Sequence, residues 1–231
     1  MSSFPLIETF SSLDALPGLV HGFLLRSPEI DVDTDRDTAL ARLAPFYAGQ
    51  LSLLGISGDH LATGEQVHGA VIQRVDGEEP SSVHFPDTDG LITGTAGQYI
   101  GVYVADCGAV FLVDPVKRAC AVVHSGKKGT ELGISPAAIK AMQNAYGSHP
   151  SDLIVQVAPC IRPPAYEIDF AAQIVADCIA SGVPETNVFD CGICTSRNLE
   201  RYYSYRTEKG KTGRHFAVIG WSEKSNVHHS K

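Results

Sequence analysis

This 231-residue chain lacks several features that would each have settled its class. It has no basic excess: 18 Lys and Arg stand against 26 Asp and Glu, a formal net charge of −8. A protein that grips a nucleic-acid backbone needs the opposite balance, so that partner is set aside. No run of about 18 apolar residues occurs, so no membrane-spanning helix is expected. The opening MSSFPLIETFSSLDALPG has no basic region followed by a long apolar stretch, so no export signal is expected. On that reading the six cysteines, scattered over a mid-sized chain, are reduced thiols in a cytoplasm. Internal repeats and low-complexity segments are also missing.

What remains is an ordinary globular composition, 44% hydrophobic and 19% charged, long enough for a substantial core. Val- and Ile-rich runs predict strands at AVIQRV, YIGVYVA, AVFLVD, ACAVVH, DLIVQVA and HFAVIGW. Several follow one another with no helix between, which argues against a purely alternating parallel sheet. Mixed β-sheets flanked by helices, an α+β fold, fit the order better. Leu40, Leu43, Tyr47, Leu51 and Leu54 recur at near-helical spacing and predict a helix broken or kinked at Pro45. The acids before it, Asp31, Asp33, Asp35 and Asp37, suggest calcium at first sight. An EF-hand loop starting at Asp31 would need Gly at its sixth place and Glu at its twelfth, where Arg36 and Arg42 stand. A solvated helix start explains them instead. A second helix is expected from Ser135 as N-cap through Pro136 to Gly147, and a third from Asp169 to Gly182 with Cys178 in its apolar face.

Two soft metal ligands interrupt the most strand-like region. Cys107 precedes AVFLVD and His124 ends ACAVVH. Between these runs DPVK is a turn, with Pro115 presetting its φ and Asp114 accepting local backbone bonds. Pairing the runs about that turn sets Asp114 opposite Ala119 and His124 opposite Ala109, so Cys107 and His124 reach the same end of a hairpin. Zinc wants tetrahedral nitrogen and sulfur ligands, and two are too few. His68, in QVHG before another strand, is the third candidate. His21 precedes a glycine, His60 and His149 lie in polar loops, and His228 and His229 sit in a tail. The close pair in CGIC, Cys191 and Cys194, has no second pair to complete a four-cysteine zinc site, and the polar RNLERYY after it does not read as the helix a redox motif needs.

QVHG, DGLIT, ADC followed by VFLVDP, HSGKKGT, APCIRPPAYEID and finally CTSRN, YYSYR and TGRHFAVIGW occur in the order of the laccase-domain family. That family is also called polyphenol oxidoreductase, purine nucleoside phosphorylase and peptidoglycan editing factor. The chain resembles a divergent member of it over residues 20–221, nearly its whole length. The resemblance implies one layered domain of mixed sheets covered by helices across residues 1–231, with 222–231 as a flexible tail. It implies a zinc site of His68, Cys107 and His124. It also implies phosphorolysis of adenosine, inosine or methylthioadenosine, adenosine deamination, or both, so that the partners are a purine nucleoside and phosphate. Carried over by position, Arg26, Asp106 and Lys127 would serve catalysis, and Gln66, Lys128 and Glu167 would contact substrate. The departure lies after His124, where the family has Trp and Arg and this chain has Lys127 and Lys128. A bidentate guanidinium fork is thereby exchanged for point charges, which can still hold phosphate.

Three other readings compete. Cys107 could be the nucleophile of a metal-free thiol hydrolase with His124 as base and Asp106 orienting the imidazole. The chain could instead be a non-catalytic zinc-binding protein whose metal is linked to folding. A multicopper centre needs many imidazoles, commonly in His-x-His pairs; none occurs here, so copper ranks behind zinc. The H-x-E and P-C-x-x-C pattern of nucleobase zinc deaminases is missing as well.

Overall fold

The β-branched runs form two six-stranded sheets in the computed structural model, which describes residues 6–77 and 82–223. The first sheet has the order β1 (Ile7–Glu8), β2 (Leu19–Leu24), β12 (His215–Trp221), β7 (Tyr99–Val104), β3 (Leu61–Gly64) and β5 (Val83–Phe85). The second runs β11 (Val188–Asp190), β10 (Ile154–Val157), β8 (Gly108–Asp114), β9 (Ala119–Ser125), β6 (Gly90–Thr93) and β4 (Ile72–Arg74). Both are mixed. β12 lies antiparallel between β2 and β7, whereas β3 runs parallel to β7 and β5. Antiparallel β10–β8–β9–β6 form the centre of the second sheet, with parallel β11 and β4 at its edges.

Strands β8, β9 and β12 are buried at every position because both of their faces are covered. Along β8, Val110 and Leu112 pack with one cluster while Phe111 and Val113 pack with another. Successive strand side chains point to opposite faces, so this alternation assigns the layers. Phe111, Val113 and Val122 of the second sheet meet Phe23, Val102 and Ile219 of the first, which stacks the two sheets face to face. The outer face of the second sheet packs on α4 (Ile134–Tyr146) and α5 (Phe170–Ala180) through Ile139, Met142 and Ile174. The outer face of the first carries α2 (Arg36–Leu53) through Leu43, Tyr47 and Leu51. Two short helices, α1 (Ser11–Asp14) and α3 (Lys127–Glu131), complete the set among the described residues. The result is a single four-layered α+β domain.

Local chemistry explains most boundaries. Asp35 caps α2 by accepting from the Thr38 N–H at 3.0 Å, and Asp31 pairs with Arg42, so the acidic run is a helix start. The expected break at Pro45 does not occur: α2 passes through it as one helix, with the proline exposed. Asp169 caps α5 as expected. Ser135 is not the cap of α4. Gly133, at φ 73°, opens that helix earlier and leaves Ser135 buried in the first turn. β2 and β6 escaped prediction because His21, Gly22 and Gly90 break the β-branched pattern. Of the expected 222–231 tail, residues 224–231, with His228 and His229, lie outside the described residues.

Candidate metal centre

β8 and β9 pair in the register the DPVK turn dictates: Asp114 faces Ala119 and Ala109 faces His124. Asp114 Oδ1 accepts from the backbone N–H groups of Val116 and Lys117, both at 2.9 Å, which fixes the turn. His124 and Cys107 therefore arrive together at the open end of the hairpin. His68 comes from the loop after β3, at φ 59°. One wholly buried carboxylate, Asp89, places that loop. It accepts from the N–H groups of Val67 at 3.1 Å, His68 at 2.9 Å and Gly69 at 2.7 Å. The same carboxylate lies 2.8 Å from His124 Nδ1.

The ligand atoms of His68, Cys107 and His124 lie within 4.8 Å of one another. The two imidazoles meet edge to face, with centroids 4.7 Å apart. With His124 Nδ1 engaged by Asp89, its Nε2 is turned toward the sulfur. Burial alone would raise the Cys107 pKa, but hydrogen bonds from His124 and His68 bring it down to about 6. The Asp89 and Cys107 contacts raise the His124 pKa against the effect of burial. Gly126 closes the arrangement, because a methyl there would overlap the Cys107 sulfur.

This donor set suits a metal ion. Zinc bonds thiolate at about 2.3 Å and imidazole at about 2.0–2.1 Å, which puts tetrahedral ligand atoms roughly 3–4 Å apart. Ligand atoms that all lie within 4.8 Å of one another are compatible with that geometry. The thiol is inclined to ionise, as a ligand must. The carboxylate behind His124 fixes its tautomer, the usual support of a histidine ligand. Among the described residues no other group of three His, Cys, Asp or Glu side chains converges in this way.

The three side chains form one wall of a cavity of about 800 Å³. Tyr103, Tyr166, Phe170 and Tyr205 supply aromatic surface, and Arg36, Lys127, Arg206, Lys209 and Arg214 supply positive charge. Of the five non-glycine residues with positive φ among those described, His68, Asp106 and Lys209 line this cavity. Backbone held in that region by non-glycine residues gathers at functional sites.

The family model described as multi-copper polyphenol oxidoreductase laccase matches residues 47–175 and 167–222. The chain belongs to that family. Among its relatives, purine nucleoside phosphorylase YlmD of Geobacillus stearothermophilus is 29% identical over 195 residues, covering 69% of this chain and 71% of that protein. A purine nucleoside phosphorylase of Deinococcus radiodurans is 31% identical over 208 residues, covering 80% of each. The crystal structure of YlmD from Geobacillus stearothermophilus superposes with a TM-score of 0.81 at 23% identity, over 95% of this chain and 100% of that one. At that identity the superposition speaks for the fold alone.

Within this laccase-family fold the positions carried over from the sequence fare unequally. Asp106, Lys127, Gln66 and Glu167 line the cavity; Arg26 and Lys128 do not. Arg26 is held away by an ion pair with Glu208 at 2.9 Å and stacks on Tyr203, and Lys128 is exposed on α3. Asp106 is braced by Thr195 Oγ1 at 2.6 Å, Ser204 Oγ at 3.1 Å and the Arg206 N–H at 2.7 Å. Gln66 exchanges two hydrogen bonds with the Tyr103 backbone, at 2.6 and 2.8 Å. Glu167 pairs with Arg206 across the cavity mouth. Sequence reading missed Asp89, although DGLIT begins with it. It also missed Arg36, Lys209 and Arg214, which carry no spacing signal because the fold gathers them from distant parts of the chain, the start of α2 and the segment before β12. Among the described residues, no helix is long and apolar enough to cross a membrane.

Proposed function

We propose that this chain is a zinc-dependent enzyme of purine nucleoside phosphorolysis, with His68, Cys107 and His124 as the metal ligands. The observation that carries the reading is the meeting of these three groups on the wall of a cavity that also holds aromatic rings and guanidinium groups. The names of the relatives support the substrate class. In the reaction a phosphate oxygen bonds to ribose C1′ while the bond from C1′ to the purine nitrogen breaks. The electron pair leaves with the base, which takes up a proton. Zinc, when bound, supplies positive charge that polarises oxygen ligands as a Lewis acid. The protein contributes the rest. Aromatic side chains present faces for the base, cations gather the anionic oxygens in a site with limited water, and the braced Asp106 keeps the neighbouring Cys107 in position. The unpaired state of all six cysteines suits a reducing compartment, the cytoplasm.

A second reading draws on one observation, the Cys107 thiol brought to about 6 by two histidines, which also describes an activated nucleophile. Incubating zinc-loaded protein with adenosine, inosine or methylthioadenosine, with and without phosphate, separates the cases. Phosphate-dependent release of free base with ribose 1-phosphate, abolished by chelation and restored by zinc, is the expected result. Ammonia from adenosine would instead identify deamination. Turnover unaffected by exhaustive chelation would favour the thiol reading, and a fully zinc-loaded protein inert toward all three nucleosides would defeat the proposal.

A further inference from the structure

Three of the five cations on the cavity wall form no ion pair with a carboxylate among the described residues. Of the other two, Lys127 Nζ sits 4.0 Å from Glu131 and Arg206 pairs with Glu167. Arg36, Lys209 and Arg214 enter no ion pair among the described residues, although the chain carries more acids than bases. Each is nonetheless fixed by its backbone. Arg36 is the first residue of α2, next to the Asp35 cap. Lys209 is held at φ 54° and followed by Gly210 at φ 86°. Arg214 Nη1 donates to the carbonyls of Thr212 at 3.0 Å and Gly213 at 2.9 Å, and its guanidinium lies 5.7 Å from the Tyr205 ring.

Their arrangement is electrostatically unfavourable in the absence of an anion. Burial, and after it Arg36, lower the Arg214 pKa, against the smaller opposing effects of Tyr47 and Tyr205. Arg36, Lys209 and Arg214 line the same cavity as His68, Cys107 and His124. The Tyr47 hydroxyl donates to the Arg214 carbonyl at 2.7 Å, which ties the helix carrying Arg36 to the segment carrying Arg214. Of the two acids that line the cavity, Glu167 is taken up by Arg206 and Asp106 by Thr195, Ser204 and the Arg206 N–H, so these three like charges stay unpaired in a cavity suited to an anionic guest.

We propose that Arg36, Lys209 and Arg214 form an oxyanion subsite that holds a tetrahedral phosphate beside His68, Cys107 and His124, and that Lys128 takes no part in it. This deepens the phosphorolysis reading and rests on it for its catalytic consequence, though not for binding itself. Two guanidiniums and an ammonium offer the directed N–H groups that a phosphate dianion needs. Inorganic phosphate and the phosphate of a nucleoside 5′-monophosphate share that chemistry.

Calorimetric titration of inorganic phosphate into the full-length, zinc-loaded protein tests the subsite without any turnover. R36M and K209N alter exposed side chains, and asparagine tolerates the left-handed backbone at position 209. Each is expected to weaken phosphate binding roughly tenfold, the loss of one charge-assisted hydrogen bond. R214K keeps the charge but loses the fork, and is expected to weaken binding as well. K128A should stay within about twofold of the parent. In turnover, R36M and K209N should raise KM for phosphate and leave KM for the nucleoside unchanged. Adenosine monophosphate that displaces phosphate from the parent but not from R36M would mark an ester-accepting subsite; its failure to compete would mark one for free phosphate, and both keep the subsite. Phosphate binding that survives in the R36M/K209N double variant, or its absence from the parent, overturns the proposal. Binding lost in the variants of a protein that cleaves no nucleoside would sustain the subsite and reject phosphorolysis.

Discussion

His124 Nδ1 lies 2.8 Å from a carboxylate oxygen of Asp89, a residue with no exposed surface. The same carboxylate accepts three successive backbone N–H groups from residues 67–69. One side chain therefore sets both the tautomer of His124 on the hairpin and the position of the separate loop that carries His68. Burial opposes its ionisation, yet the His124 contact and the N–H groups hold its pKa below the usual carboxylate value. The candidate metal centre thus has its organising charge behind the ligands, in the core.

Replacing that charge should loosen the centre without altering the ligands. D89N is expected to lower zinc affinity by roughly 10- to 100-fold, the usual consequence of losing the partner of a histidine ligand. It should also cost roughly 1–3 kcal/mol of stability, since a neutral amide is a poorer acceptor for the loop and its NH₂ needs partners of its own. Competition with a zinc chelator dye and urea denaturation measure the two effects. Parent-like zinc affinity in folded D89N would remove Asp89 from the centre.

Gly126 admits a purely steric test. Its backbone, at φ −93° and ψ −169°, is extended and open to alanine, so G126A should fold. The added methyl would occupy the space of the Cys107 sulfur. Zinc affinity is expected to fall by at least about tenfold while the thermal midpoint of the metal-free protein moves by no more than a few degrees. Unchanged zinc binding in G126A would mean that Cys107 is not a ligand.

The hairpin was legible because its register follows from a turn and an apolar pattern, both local. The order Cys107, turn, His124 fixes which end of the hairpin the two side chains share, and the observed pairing agrees residue for residue. Asp89 was not legible as an orienting group. Its partners lie 20 to 35 positions away in the chain, and an acid beside a glycine looks like a turn residue until the sheet is assembled. Arg26 misled for the converse reason: its position along the chain is family-like, but whether it faces the cavity is decided by Glu208, which is 182 residues distant. Lys127 and Lys128 are adjacent in sequence and part company on α3, where the first lines the cavity and the second does not.

Thiol chemistry should single out one cysteine of six. Cys120, Cys160 and Cys178 are buried, and burial raises their pKa values, that of Cys178 to about 12; Cys191 is likewise pushed up to about 11. Cys107 alone is lowered, and it borders the cavity. In metal-free protein at neutral pH, iodoacetamide should label Cys107 first, and stoichiometric zinc should protect it, as read by peptide mass mapping. Equal labelling with and without zinc would contradict its role as a ligand and leave the nucleophile reading in place.

Acid stability should depend on a histidine outside the candidate metal centre. His215 is fully buried; its Nε2 accepts the Tyr203 N–H at 2.9 Å, so its proton sits on Nδ1, 2.9 Å from the Leu24 carbonyl. A second proton has no acceptor to meet and would displace the Tyr203 bond. Burial accordingly depresses the His215 pKa from 6.5 to about 4. Between those values the unfolded chain binds a proton that the native chain refuses, so stability is complete above pH 6.5 and declines as pH falls toward 4. The displacement corresponds to about 3 kcal/mol by the linkage relation. His21 contributes in the same direction: burial lowers its pKa, against the pull of Asp14, and its Nε2 accepts the Phe10 N–H at 2.9 Å. Urea denaturation of metal-free protein across this range should show the decline. H215Q keeps a neutral donor and acceptor, so it should be less stable at pH 7 yet show a shallower loss below pH 6.5. An H215Q variant with the same acid slope as the parent would mean that other groups bind the protons that unfold this protein.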